Sequence, residues 1–245
     1  MEPPVLPAVS PMRPVVSSVC LPIKTCNEGK WELGTDFGDP GAFGQIWLAC
    51  CGKECKYILK YQSYTKIISP TGQYITAQDP IDVRQEVAIQ RKMYDIGIAP
   101  QILDFFECNH GASFIMKALR ETVYSLIARF GEEKEQIARR CIEVVSKMHY
   151  AGYYHRDLHL KNIMVDYDAY QTEYKDEDYR YYLIDFGLSG VLIPNSDGVS
   201  FIKSDYLKLG GELTNDMERT DSRFIVLHEM LRDAEQKDIA YLMSR

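Results

Sequence analysis

The sequence predicts an α+β fold of two successive lobes, and three observations predict it. From about residue 29 to 116 the chain reads mainly as apolar strands punctuated by turn residues, with one helix among them. From about residue 119 onward helical periodicity dominates, with short strands around the middle. The 245 residues suffice for one large domain or one domain of two lobes, and no internal repeat divides them otherwise.

The first 28 residues are proline-rich and lack periodicity, so they are expected to be a flexible tail. Trp31 to Leu33 suits a strand. GTDFGDPGAFG, from Gly34 to Gly44, is a glycine-rich loop, and QIWLACC after it is a second strand. A turn at CGKEC and a third strand, KYILKY, bring the chain to Lys60. Glycine lets backbone N–H groups approach phosphate oxygens closely, although glycines in hairpins are more often plain turn residues. Asp79-Pro80 is a good helix start, with Asp79 as N-cap and Pro80 at the first helical position. In the helix that follows, Val83, Val87 and Tyr94 share a face, with Glu86, Ile89 and Met93 beside it. Glu86 therefore borders the buried stripe, where a carboxylate can pair with Lys60.

SFIM, ending at Met116, reads as another strand. The stretch from about Glu132 to His149 carries Ile137, Cys141, Val144, Val145 and Met148 at helical spacing and reads as a core helix. DYDAYQTEYKDEDYR, residues 166 to 180, is acidic and rich in tyrosine. A solvated hairpin loop is its expected form, in preference to a docking or autophosphorylation element.

Composition bounds the function. Hydrophobic residues make up 46% and charged residues 26%, as in a globular protein with a real core. A net charge of -7 and a pI near 5.3 disfavour a nonspecific grip on nucleic acid or an anionic membrane. No apolar run approaches the roughly 18 residues that cross a bilayer. MEPPVLPAVSPMRPVVSSV is interrupted by prolines and makes a poor signal peptide, so a cytoplasmic protein is expected. The seven cysteines are odd in number and irregularly spaced, which argues against a disulfide scaffold. Cys50, Cys51 and Cys55 cluster, but zinc needs a fourth ligand and none is close by, so the cluster reads as a hairpin turn.

The most specific segment is YYHRDLHLKNIMVD, residues 153 to 166, followed by YYLIDFGLS, residues 181 to 189. Here the sequence resembles the protein kinase superfamily. His155-Arg156-Asp157 matches the catalytic-loop triplet, Asn162 stands five residues after Asp157, and Asp185-Phe186-Gly187 matches the metal-binding triplet. Gly41 and Gly44 match the last two glycines of the phosphate-covering loop, Lys60 and Glu86 its ion pair, and Met116 the gatekeeper. The resemblance runs from about Trp31 to Tyr206 and implies a two-lobed protein-kinase-like fold.

It also implies ATP and Mg²⁺. Asp157 would orient or accept the proton of an attacking hydroxyl, Asn162 and Asp185 would hold the metal, and Lys60 would bind phosphates. Gly38, Ile46 and Ile58 join Gly41, Gly44, Glu86 and Met116 among the implied nucleotide-site positions. Asp39-Pro40 occupies the place of the leading glycine, so Gly38 is expected to take over in a longer loop. His159 stands where serine/threonine kinases usually carry lysine, and Lys161 is expected to supply that charge. Ile58 replaces a small residue over the adenine. No Ala-Pro-Glu motif follows Asp185, and the 58 residues after Gly187 imply a shortened C-lobe. Asp205, in SDYLKL, aligns with the acidic residue that ties a later helix to the catalytic loop.

Histidine after the triplet is shared with haspin-like and several small-molecule kinases. The WLA after Gly44 is similar to the vaccinia-related and casein-kinase-1-like group. The short C-lobe resembles compact kinases of large DNA viruses, bacterial effectors and the KEOPS complex. The full catalytic set and Arg156 before Asp157 imply a serine/threonine protein kinase with a protein substrate and room for an activating partner. A small-molecule kinase and a pseudokinase are the alternatives. Arg156 and the serines Ser189, Ser196, Ser200 and Ser204 suggest a loop ordered by phosphate. The expected boundaries are a tail at 1–28, an N-lobe at 29–117 and a C-lobe at 118–245.

Overall fold

Short apolar runs between turn residues become strands in the amino-terminal part of the chain. β1 (Thr25–Cys26), β2 (Gly29–Asp36), β3 (Gln45–Cys51) and β4 (Glu54–Ser63) come first, then a small hairpin of β5 (Ile67–Ile68) and β6 (Tyr74–Ile75). α1 (Pro80–Asp95), β7 (Ile102–Cys108) and β8 (Gly111–Lys117) follow. The main sheet has six strands in the order β1-β2-β3-β4-β8-β7. This computed structural model describes residues 25–26, 29–36, 44–68, 74–167 and 174–245. They pack as two compact units: the described residues up to Pro80 with Asp104–Ile115, and Ile81–Leu103 with Met116–Arg245. α1 thus falls in the second unit, although in sequence it lies within the span expected for the N-lobe.

In the first unit the β3–β4 register sets the two faces of the sheet. Trp47 pairs with Leu59 and Ala49 with Tyr57, and this face is buried with Tyr61 and Ile115. Ile46 pairs with Lys60 and Leu48 with Ile58, so these four side chains project from the opposite face.

The cysteines depart from expectation. Cys26 is bonded to Cys51 and Cys50 to Cys55, and Cys108 is also in a disulfide. Neighbouring strands bring these sulfurs together, which linear spacing does not show. A disulfide sulfur is no thiolate, so the cluster offers zinc no ligands. Residues 25 and 26, expected to belong to a flexible tail, instead form β1 and are anchored to β3 through Cys26; residues 1–24 lie outside the described part. Both tryptophans, Trp31 and Trp47, belong to this unit. Reduction is therefore expected to move the denaturant-induced fluorescence transition to lower denaturant. The Cys26–Cys51 link, closing 25 residues, is expected to be worth about 3 kcal/mol. Coincident transitions with and without reductant would contradict the pairing.

The second unit continues with β9 (Glu121–Thr122), α2 (Val123–Arg129), α3 (Lys134–Tyr150), β10 (Tyr153–Tyr154) and β11 (Ile163–Asp166). β12 (Arg180–Leu183), β13 (Gly190–Val191), α4 (Ser196–Thr214) and α5 (Ser222–Met243) complete it. α3 buries Ile137, Cys141, Val144, Val145 and Met148, the stripe expected from their spacing. α1 starts at Pro80 and buries Val83, Glu86, Val87, Ile89 and Met93, but Tyr94, assigned to the same face, is 43% exposed. Its position on the last turn carries it past the edge of the buried stripe. No helix among the described residues is long and apolar enough to cross a membrane.

The tyrosine-rich insertion is not simply solvated. Tyr167, Tyr179 and Tyr181 are buried, and Tyr174 stacks on Tyr179 at 5.0 Å and meets the Tyr181 hydroxyl at 2.8 Å. Phe130, just beyond α2, closes the cluster 6.5 Å from Tyr179. The acidic residues of the stretch masked an aromatic packing unit; residues 168–173 lie outside the described part.

Candidate active site

The expected site residues fall into two sets, one in each unit. In the first unit, Ile46, Ile58 and Lys60 share a sheet face through the register given above. Lys60 is 7% exposed, with its ammonium 5.8 Å from the centroid of the Phe114 ring. Gly44 precedes β3 where a Cβ would lie 2.7 Å from the carbonyl oxygen of Tyr61, so only glycine lets the strands approach there. Gly38 and Gly41 lie outside the described residues.

In the second unit the segment between β10 and β11 is held from beneath by α4. Asp205, fully buried, accepts the backbone N–H of His155 at 2.8 Å on Oδ2 and that of Arg156 at 2.7 Å on Oδ1. This is the tie expected from SDYLKL. The buried His155 ring donates from Nε2 to the carbonyl of Ile184 at 2.9 Å. That bond places a proton on Nε2, and burial, which outweighs the opposing pull of this bond and of nearby carboxylates, pushes the ring's pKa down. Phe186 packs against the same ring at 5.3 Å and is buried in the core of the unit. One set of contacts thus couples the two motif segments.

The non-glycine residues with positive φ among those described are Arg156, at 67°, and Asp185, at 63°. Such backbone persists where surroundings enforce it, and it clusters at functional sites. β11 and β12 pair antiparallel from Ile163 opposite Leu183, and the Ile184 N–H continues the ladder to the carbonyl of Asn162 at 3.0 Å. Asn162 and Asp185 therefore emerge at the same end of the hairpin. The Asn162 amide donates from Nδ2 to the carbonyl of Asp157 at 2.9 Å, which commits its nitrogen and leaves its oxygen as a ligand. An amide oxygen and a carboxylate are hard donors that fit Mg²⁺. A Cβ on Gly187 would come 3.3 Å from Glu86 Oε2 and 3.6 Å from Asp185 Oδ1, so Glu86 reaches this segment from α1. Met116 sits near the end of β8 within reach of the Gln90 amide at 3.5 Å.

Around Asp157 the geometry differs from expectation. The Lys161 ammonium lies over the Tyr124 ring, 5.4 Å from its centroid. The cation on Asp157 Oδ1 is Lys208, at 3.2 Å, which also donates to the carbonyl of Arg156 at 2.6 Å. His159 Nε2 stands 3.8 Å from Asp157 Oδ2. Glu212 accepts the Leu160 N–H at 2.7 Å. Asp205, Lys208 and Glu212 are spaced i, i+3 and i+7 on α4, so one helix face grips the segment between β10 and β11 at three points. That spacing was visible in SDYLKLGGE once Asp205 was placed.

The segment after the DFG triplet is brief. β13 pairs with β10, and Asn195 caps α4 by accepting the N–H groups of Asp197 and Gly198. Ser196, Ser200 and Ser204 are consequently helical rather than on a loop, and buried Ser189 donates to the carbonyl of His155 at 3.2 Å. The expected phosphate-ordered loop does not form from these serines, because the asparagine cap starts the helix early.

Beneath the loop, His149 faces two buried carboxylates, with Nδ1 2.7 Å from Asp238 and Nε2 3.2 Å from Asp205. Burial opposes its charge, but hydrogen bonds and attraction to Asp205 and Asp238 prevail, and its pKa is raised.

Residues 108–196, which hold Asp157, Asn162 and Asp185, match the model of the lipopolysaccharide kinase (Kdo/WaaP) family. The calcium/calmodulin-dependent serine/threonine-protein kinase 1 of Oryza sativa subsp. japonica is 29% identical over 72% of this chain and 29% of its own length. CDPK-related kinase 8 of Arabidopsis thaliana is 31% identical over 71% of this chain and 28% of its own. For the Arabidopsis calcium-dependent protein kinase 10 the values are 28%, 80% and 34%. The chain spans about a third or less of the length of these relatives. The matches favour neither the vaccinia-related, casein-kinase-1-like or haspin-like groups nor a viral source. What they support is a likeness to the protein kinase superfamily as a whole.

Proposed function

We propose that the protein is an ATP-dependent phosphotransferase that acts on serine or threonine hydroxyls of a protein. The observation that carries the catalytic part is the joint arrangement of Asp157, Asn162 and Asp185. The two segments that carry them are locked together by the His155–Ile184 and Asn162–Ile184 hydrogen bonds, the first of which spans 29 residues. In the reaction the acceptor oxygen bonds to the γ-phosphorus of ATP while the bond from that phosphorus to the β–γ bridging oxygen breaks. The electron pair leaves with ADP. Asp157 orients the hydroxyl and takes up its proton, which passes to solvent. Asn162 and Asp185 would hold Mg²⁺, which supplies charge neutralisation for the phosphate oxygens. Lys60 would bind phosphates, with Ile46 and Ile58 on the same face of its sheet.

The protein substrate rests on the likeness to plant protein kinases. A second reading, transfer to a small-molecule hydroxyl, is favoured by the brief segment from Leu188 to Asn195 and by the match to a lipopolysaccharide kinase family. An activating partner that completes a peptide platform would reconcile the brief segment with a protein substrate. The disulfides of the first unit favour an oxidising compartment over the cytoplasm. Incubation with ATP, Mg²⁺ and whole-cell lysate, against an Asp157→Asn control, is expected to enrich phosphoserine and phosphothreonine sites. Label confined to a metabolite would favour the second reading.

The nucleotide site has its own test. Asp185→Ala is expected to abolish the Mg²⁺ dependence of tight ATP binding, and Lys60→Ala to weaken ATP binding with Mg²⁺ present. Calorimetric titration checks both. Equal Mg²⁺-dependent affinity in wild type and the Asp185 variant would remove the metal assignment.

A further inference from the structure

We infer that Lys208, on α4, is the positioning residue for Asp157, doing from a separate helix what a lysine two residues after Asp157 would otherwise do. The inference rests on the phosphotransferase reading above and deepens it. Position 159 is histidine, and Lys161 is directed at Tyr124. Among the described lysines and arginines, Lys208 is the one that lies within ion-pair distance of the Asp157 carboxylate. Its ammonium makes two bonds there, one to Asp157 Oδ1 at 3.2 Å and one to the carbonyl of Arg156 at 2.6 Å.

Two anchors fix an orientation where one would fix only a distance. The Arg156 carbonyl belongs to the residue held at positive φ, whose N–H is already bound by Asp205 three residues before Lys208 on the same helix. Lys208 therefore reads its position from the rigid part of the loop and imposes it on the Asp157 side chain. With Oδ1 engaged, Oδ2 remains for the acceptor hydroxyl, with His159 at 3.8 Å as its neighbour. The ammonium also leaves positive charge beside the place where the transferred phosphoryl group must pass, where charge stabilisation dominates catalysis.

Both side chains are partly exposed, 43% for Lys208 and 36% for Asp157. Exposed pairs contribute little to stability, so removing the lysine should leave the protein folded. The role is one of geometry, and misplacing a catalytic group by a fraction of an ångström to an ångström is costly in rate.

The test is steady-state kinetics on Lys208→Met, Lys208→Gln and Lys208→Arg, with Lys203→Met, elsewhere on the exposed side of α4, as control. Lys208→Met is expected to lower kcat about 10- to 100-fold with KM for ATP and melting temperature nearly unchanged. Lys208→Gln, which keeps a donor for the Arg156 carbonyl but loses the charge, should remain low, and Lys208→Arg should recover part of the activity. In an Asp157→Asn background Lys208→Met should cost little more, since the group it positions is gone. An unchanged or raised kcat in Lys208→Met, or full additivity with Asp157→Asn, overturns the role while leaving the phosphotransferase reading intact. Absence of phosphoryl transfer by the wild-type protein to any acceptor overturns both.

Discussion

Asp157→Asn is expected to lower turnover by about 10² to 10⁴ while the protein stays folded and still binds ATP. The side chain is 36% exposed and its partners, Lys208 and His159, are also partly exposed, so its loss leaves no buried charge unpaired. Asparagine preserves shape and can still accept a hydrogen bond from Lys208. What it loses is the capacity to take up the hydroxyl proton and the negative charge that draws that proton. The backbone that shapes the loop is unaffected, because the bonds to Asp205 and Asn162 involve main-chain groups of residues 155 to 157. The measurement pairs phosphoryl-transfer rates with ATP titration and thermal unfolding. Transfer at the wild-type rate would remove Asp157 from the centre of the chemistry. Loss of ATP binding together with a fall in melting temperature would show that the side chain is structural instead.

Much of this arrangement was legible because it is written in local spacing. The stripe of α3, the hairpin of β3 and β4 and the five-residue step from Asp157 to Asn162 are each set by neighbours within a few positions. Other features depend on which strands and helices become neighbours. The disulfides join β1 to β3 and clip β3 to β4, so they follow from sheet register rather than cysteine spacing. Tyr167, Tyr174 and Tyr179 look solvated beside so many acids, yet Phe130 and each other give them a packed surface. Ser196 to Ser204 read as loop because glycine and serine are poor helix formers, but Asn195 caps the helix and Ile202 and Leu209 bury one face. His149 is the clearest case. It resembles an ordinary histidine near the end of a helix, and its partners come 56 and 89 residues further along.

His149→Leu is expected to destabilise the second unit by about 3–5 kcal/mol, the usual consequence of removing one member of a buried ionic group. Asp205 and Asp238 are both buried and both aim Oδ2 at the imidazole. A carboxylate oxygen accepts hydrogen bonds and donates none, so both ring nitrogens must donate and the ring must be a cation. Tyr206 donates to the same Asp238 oxygen at 2.7 Å, and Ser146 meets the Tyr206 hydroxyl at 2.8 Å, which completes a polar network beneath the catalytic loop. Without the cation two carboxylates would share a water-poor space. The histidine's pKa is raised above its ordinary 6.5, so in the wild type its contribution is complete below that value and is lost as pH rises through the higher folded one. Urea unfolding of the wild type should therefore show stability falling with pH above about 6.5, and the variant should lack that component. A second substitution, Asp238→Leu, should recover part of the loss by relieving the unpaired pair, whereas His149 acting as a packing residue alone would give additive losses. Asp205 also holds the His155 and Arg156 amides, so turnover should fall in His149→Leu as the loop loosens, even at temperatures where the protein remains folded. Equal pH slopes in wild type and variant would show that the imidazole is not the cation that keeps Asp205 in place.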